Sequence, residues 1–185
     1  MRYPLPKSDE KGNYEPGVMQ RLGKLFTYLG MHNQLIPYYF QSNNSPGFQY
    51  FNGIRARIGQ GNDFDAPALG ISPTLINIGT SNIINDAIGP FAHILLGDLQ
   101  KNTTTGWDIM MRNDAYSTRA YLSFKYMPSA TYGLEPEHLP TRVINWLETF
   151  DTSTGSYDRA LTETVLEAIA FGQADGAQVD WKCIE

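Results

Sequence analysis

Apolar positions along this chain change their period several times, and each change marks an element. In "EPGVMQRLGKLFTYLGMHN", Val18, Leu22, Leu25, Phe26 and Leu29 recur at the spacing of one helix face. Pro16 suits a first helical position and Gly30 supplies a stop. "QLIPYYFQ" reads as a short extended stretch that Pro37 confines to a sheet edge. In "GFQYFNGIRARIG" the period falls to two on either side of Asn52-Gly53, a pair favoured in the type I′ turn because both central residues need positive φ. A two-residue turn there sets Phe51 opposite Ile54 and Gln49 opposite Ala56 on one face. Phe48, Tyr50, Arg55 and Arg57 share the other, and Tyr50 directly across from Arg55 predicts a guanidinium over the Tyr50 ring.

Residues 59–73, "GQGNDFDAPALGISP", read as loop by composition. From about Thr80 the helical period returns, with Ile83, Ile84, Ile88, Phe91, Leu95 and Leu99 on one stripe and Pro90 predicting a kink or break. Further helices are expected in "WDIMMRND", in "STRAYLSFKY" capped by Ser117, and in "LPTRVINWLETF". Another is expected in "SYDRALTETVLEAIAFG", capped by Ser156 and stopped by Gly172. The closing "WKCIE" reads as the start of a strand, and the opening "MRYPLP" as a stiff tail ahead of a polar loop, "KSDEKGNYEPG". A few strands beside a helical cluster, with both ends reading as cut ends, suit the middle of a larger protein.

Composition narrows the classes. Aromatic content of 12% argues for a folded chain rather than a disordered one. Nineteen acidic against fourteen basic residues give a net charge of −5, and without any lysine or arginine run no nucleic-acid partner is expected. Apolar windows such as "PFAHILLG" are too short for a membrane span, and no signal peptide is recognisable, so a soluble chain of unassigned compartment is expected. The single cysteine, Cys183, leaves neither an intramolecular disulfide nor a cysteine-based metal site.

Candidate chemistry is sparse. His32, His93 and His138 have no metal-ligand spacing, and a structural or solvated role is the simpler account of each. The carboxylate pairs Asp9/Glu10, Asp63/Asp65 and Glu135/Glu137 fall in loops, where solvated charge is the default. No G-x-S-x-G occurs, and "GQGNDF" lacks both the third glycine and the strand-to-helix junction of a dinucleotide loop.

Four stretches change this picture: "MRYP" at the start, "YFNGIR" at 50–55, "NDAYSTRAYL" at 113–122 and "TGSYDRALTE" at 154–163. In this order they resemble the central segment of flavin-dependent L-amino acid oxidases, within the flavin monoamine oxidase family, and the resemblance spans nearly the whole chain. It implies an α+β fold in which a small antiparallel sheet and hairpin accompany an inserted helical domain, an incomplete part of the FAD-linked amine oxidase fold. Residues 1–73 would form part of the substrate-binding domain, 74–176 the helical domain, and 177–185 the start of a strand returning to the FAD domain.

By the same resemblance Arg2 grips the substrate carboxylate, and Met1 and Arg2 contact the flavin. The role suits the chemistry of Arg2, since a planar guanidinium takes a carboxylate through two parallel hydrogen bonds. The catalytic chemistry belongs to the cofactor. Leu166 or Phe171 is expected to line the substrate channel. The family's glycine-rich FAD motif is absent from this chain, and "VLEAIAF" has no histidine where some members carry one. The implied function is oxidative deamination of an L-amino acid or amine to a 2-oxo acid, ammonia and hydrogen peroxide, by an FAD-dependent oxidoreductase of which this chain is a fragment, inactive alone. Expected partners are the small-molecule substrate, with FAD-domain segments or a homodimer partner, and no membrane. Two alternatives are a non-catalytic helical interaction module derived from an amine oxidase and one chain of a processed multi-chain oxidase.

Overall fold

The computed structural model describes residues 2–5, 19–39, 47–151, 155–170 and 180–183; the side chains of residues 2–5, 32 and 180–183 fall outside that description. Met1, the 6–18 stretch with Pro16 and Val18, Phe171 and Gly172 also lie outside it.

Two small sheets accompany a helical cluster. One is three-stranded, in the order β1-β5-β2, from β1 (Arg2–Leu5), β2 (Ile36–Pro37) and β5 (Asp180–Cys183). Both neighbours run antiparallel to β5, and Cys183 stands in register with Arg2 on one side and Ile36 on the other. Arg2 to Leu5 is therefore a paired strand and not a tail. Proline fits there because β1 is an edge strand, where a missing N–H can face away from the ladder. The short stretch around Pro37 is likewise an edge, as its sequence predicts. Between them α1 (Gln20–Tyr28) packs on β1 and stops at Gly30, whose φ of +69° and N–H bond to the Thr27 carbonyl close the helix. Phe26 is its buried anchor, backed by Leu22, Met31 and Leu35, while Leu25 and Leu29 of the expected stripe stay exposed.

The second sheet is the hairpin of β3 (Phe48–Phe51) and β4 (Ile54–Arg57), in the register that Asn52-Gly53 predicts. Asn52 and Gly53 both have positive φ, 51° and 77°. The expected ring contact moves, however: the Arg55 guanidinium lies 3.9 Å from the centroid of Phe48, one pair along the ladder, and not over Tyr50. Strand twist brings that diagonal pair within reach of a long side chain.

Helices follow: α2 (Pro73–Ile78), α3 (Thr80–Lys101), α4 (Thr105–Met111), α5 (Thr118–Phe124), α6 (Thr141–Asp151) and α7 (Leu161–Ala170). The 59–73 loop is shorter than its composition suggests, since residues 66–69 form a 3-10 turn and Ser72 caps α2, accepting from the Leu75 N–H at 3.3 Å. Helix α3 is the axis on which α2, α4, α6 and α7 pack. It runs unbroken through Pro90, which stands on the solvent side, where water can serve the carbonyl that proline cannot bond. Ile83, Ile84, Ile88, Phe91 and Leu95 are buried as the period predicts, but Leu99 is 59% exposed. The core adds Leu122, Ile144, Leu147, Leu161 and Val165 from α5, α6 and α7, and also Ala66 and Ile71 from the loop. Ser117 caps α5 as expected, accepting from Ala120 N–H at 3.1 Å. Ser156 does not cap α7; it opens a 3-10 turn, Ser156–Asp158, that precedes the helix.

Where α3 meets α4 the backbones approach closely. A Cβ on Gly106 would lie 2.6 Å from the Ile94 carbonyl oxygen, so only glycine fits. Asp98 reaches across the same junction, accepting from Thr103 Oγ1 at 2.7 Å and from the Trp107 N–H at 2.8 Å, which satisfies the open start of α4.

Candidate functional site

Two places on this scaffold bear on the expected chemistry, and α1 connects them. On one side it packs against β1, the strand of Arg2. On the other it contributes Gln20 and Arg21 to a groove of about 580 Å³, whose apolar wall is Leu95 and Leu99 of α3, Trp107 of α4, and Leu166 and Ile169 of α7. Leu166, 41% exposed, thus lines a cavity. Its exposure follows from the α7 period, since Val165, Ala168 and Ile169 take the core-facing positions.

The other candidates stay apart. His93 is exposed on α3, and His138, also exposed, holds its Nδ1 3.0 Å from the Tyr126 carbonyl oxygen, a contact in which the ring donates. His32 begins a 3-10 turn. Asp63 is occupied locally, its Oδ1 accepting from the Asp65 N–H at 3.1 Å, and Glu135 and Glu137 sit in an exposed turn. Asp9 and Glu10 lie outside the described residues. Among the described residues no group of three His, Cys, Asp or Glu side chains could hold a metal ion, and no helix is long and apolar enough to cross a membrane.

Flavin does not fit the described residues as a self-sufficient set. Gly59 and Gly61, with φ of +85° and +61°, lie in an exposed loop that follows the hairpin and leads into a 3-10 turn. Along the described chain the loop leads into that short 3-10 turn and not into the α-helix start that receives a pyrophosphate in a dinucleotide fold.

The stretches "NDAYSTRAYL" and "TGSYDRALTE" turn out to be two halves of one knot. Ser117 and Ala160 form a bridge, Leu161 N–H donates to the Tyr116 carbonyl at 2.9 Å, and Thr118 and Thr164 share a buried hydroxyl bond of 2.6 Å. Thr162 donates to Asp114 at 2.7 Å. Arg119 anchors the assembly, bonding Asp158, Asn145 and Glu148 at 2.7 Å each. Glu148 is only 3% exposed, and its second oxygen accepts the Tyr157 N–H at 2.7 Å. This is the arrangement a buried carboxylate needs, with a cation on one oxygen and a peptide N–H on the other. A second arginine, Arg159, joins Glu163 and Glu167 at 2.7 Å.

Electrostatics assign these groups to structure. Bonds to Asp158 and Glu148 push Arg119 above its ordinary value, and burial with the neighbouring Asp151 pushes the Tyr157 phenol up, so neither changes charge near neutral pH. Burial also raises Asp151. At Asp86 burial would raise the carboxyl, but the polar groups of Ser129 and Tyr126 outweigh it and hold the group below 3.8, its ordinary value. Asp98 is likewise held below 3.8, first by Thr103 and then by the N–H groups at the start of α4.

An acid-side prediction follows with a definite sign. A carboxyl whose folded value lies below its unfolded one stabilises the fold above the unfolded value and loses that contribution as pH falls through the folded value. Asp86 and Asp98 therefore contribute fully to stability above pH 3.8 and lose that contribution progressively below it, as pH falls through their lower folded values, whereas Asp151 runs the opposite way. Urea midpoints at pH 6 and pH 3 are expected to differ less in Asp98→Asn than in the parent chain, through a lower midpoint at pH 6. Equal differences in the two proteins would count against the cap.

Sequence reasoning located the motifs but not this knot. Its signal was present in the recurrence of arginine and carboxylates in the two stretches, whose meeting depends on the packing of α5 against α6 and the turn before α7.

No protein-family model matches the chain. Over all 185 residues it is 74% identical to L-amino-acid oxidase 4 of Hebeloma cylindrosporum, and it spans 30% of that protein's length. Over 130 residues, 66% of the chain, it is 41% identical to the cytotoxic L-amino-acid oxidase of Amanita phalloides, of which it covers 89%.

Proposed function

The chain belongs to the L-amino-acid oxidase family, and from that premise we propose that it is the central segment of a flavin-dependent enzyme that oxidatively deaminates an L-amino acid to a 2-oxo acid, ammonia and hydrogen peroxide. The observation that carries this reading is the 74% identity over the whole chain to a protein of that name. It does not favour a non-catalytic helical module. Residues 1–73 are assigned to the substrate-binding domain, 74–176 to the helical domain and 177–185 to a strand returning toward the FAD domain, within the FAD-linked amine oxidase fold. Ala66 and Ile71 nonetheless pack with the helices, so the first two units share one core.

Within this reading Arg2 takes the substrate carboxylate in a bidentate grip, and Met1 and Arg2 meet the flavin. FAD, when bound, accepts the hydride; its dinucleotide cradle comes from outside this chain. The strand pairing of β1 supports the role of Arg2, because a residue whose backbone is held in a sheet can be preorganised where one on a tail cannot. Leu166 and the apolar groove are assigned to the approach of the substrate side chain.

The test is a replacement. Hebeloma cylindrosporum L-amino-acid oxidase 4, with its matching segment exchanged for these 185 residues, is expected to bind flavin and release peroxide from an L-amino acid. A folded, flavin-loaded chimera with no such activity would contradict the reading.

A further inference from the structure

Asn52-Gly53 is the one Asn-Gly pair in the chain, and the turn it forms uses only its backbone. The side chain does something further: Asn52 Nδ2 donates to the Phe64 carbonyl at 2.8 Å. Phe64 is 2% exposed, and its ring meets Phe51 of β3 at 5.1 Å and Phe150 of α6 at 5.6 Å. The amide therefore ties the tip of the hairpin to the loop residue that joins the hairpin to the helical cluster. A two-stranded hairpin is marginal by itself, so such a tie decides how firmly it is held.

The same pair is open to attack along its own backbone. Asn52 and Gly53 are both exposed at the tip. Nothing crowds the peptide on the glycine side, since even an added Cβ on Gly53 would meet no atom within 4 Å. The Gly53 N–H stands outside the ladder, which closes at Phe51 and Ile54, and donates to no backbone carbonyl among the described residues.

We propose that Asn52 is a site of spontaneous deamidation, and that its conversion to a carboxylate unties the hairpin from Phe64. The Gly53 nitrogen gives its proton to solvent and bonds to Asn52 Cγ; the Cγ–Nδ2 bond breaks, the nitrogen leaves as ammonia, and a succinimide closes. Water then opens either carbonyl of the ring, giving aspartate or isoaspartate, so the sum is amide plus water to carboxylate plus ammonium. The product has no N–H for the Phe64 carbonyl and sets a negative charge against its oxygen. Isoaspartate also adds a methylene to the main chain within a two-residue turn that fixes the register. The bond to Phe64 is a brake, because the amide must leave that carbonyl before Cγ can turn to Gly53. The reaction needs no enzyme and is independent of the oxidase reading.

The chain held in mildly alkaline buffer, then digested and weighed peptide by peptide, provides the first test. Residue 52 is expected to convert before Asn77 and Asn102, because Ile78 and Thr103 hinder the same attack there. Conversion of residue 52 is expected to run about 5-fold faster in urea, the factor that one net hydrogen bond supplies. Asn52→Asp then supplies one product directly and keeps the turn, since Asp-Gly also suits type I′. Its folded-to-unfolded ratio in urea at pH 7 is expected to fall about 10-fold, the effect of leaving a carbonyl without its donor. At pH 3 the gap to the parent is expected to narrow, because a protonated carboxyl can donate again. An amide intact at residue 52 after Asn77 or Asn102 has converted overturns the deamidation site. An Asn52→Asp chain as stable as the parent at pH 7, or a gap that is the same at pH 3, overturns the tie. Should Asn52→Asp fail to fold, Asn52→Gly decides, since glycine keeps the positive φ and removes the donor without adding charge: a lower ratio supports the tie and an unchanged one defeats it.

Discussion

Gly106→Ala is expected to destabilise the chain by about 3 kcal/mol, the upper part of the range for overpacked sites. The added methyl would lie 2.6 Å from the Ile94 carbonyl oxygen, 2.8 Å from the Ile94 carbonyl carbon and 2.9 Å from Asp98 Oδ2. Two of these atoms are helix backbone and cannot turn aside as a side-chain tip would. Relief requires α4 to move off α3, which would disturb the buried Met110 on α4 and the Asp98 bond to Trp107 N–H. Gly97, on the opposing helix, is the control: a Cβ there meets nothing within 4 Å, and Gly97→Ala is expected to be neutral or slightly stabilising through helix propensity. Urea unfolding of the two variants checks the pair, and a Gly106→Ala protein as stable as the parent would mean that α3 and α4 do not cross this closely.

Parts of this architecture governed by local rules were legible from the chain. Asn52-Gly53 specifies its turn through φ alone, so the hairpin register follows from two residues. Ser117 and Gly30 act within one helical turn and were equally readable. Features set by distant partners were not. Pro90 signals a break, but a helix packed along one side tolerates a proline on its solvent side. Leu99 continues the apolar period of α3 beyond the point where other helices cover it, and so borders the groove instead of the core. Phe64 reads as loop, yet it is buried against Phe51 and Phe150, joining the hairpin to α6. Arg119 also meets Glu148, twenty-nine residues on and outside both motif stretches, a partner that no local pattern signals.

The candidate site divides along the same line. The four stretches that carry the family resemblance are readable as motifs, and two of them prove to be a structural knot whose charges are fully engaged, so they build the helical cluster rather than do chemistry. That leaves Arg2 as the residue on which the functional reading turns. Its strand is held by β5, which returns to it from the far end of the chain, a contact no local pattern could reveal.

Arg2→Gln in the chimeric Hebeloma oxidase is therefore the second large effect expected. Glutamine keeps hydrogen-bonding capacity but gives up the charge and the parallel fork, and truncating one member of a hydrogen-bonded charge pair typically costs about 2–5 kcal/mol. At about 1.4 kcal/mol per factor of ten, the lower half of that range corresponds to a fall in kcat/KM on the order of 100-fold for an L-amino acid. Arg2→Lys is expected to lie between the two, since it keeps the charge without the fork. The measurement is kcat/KM for peroxide release by Arg2→Gln and its parent at equal flavin content. A loss on the order of 100-fold is the result expected if this chain supplies the carboxylate grip of an L-amino acid oxidase, and an unchanged kcat/KM would contradict it.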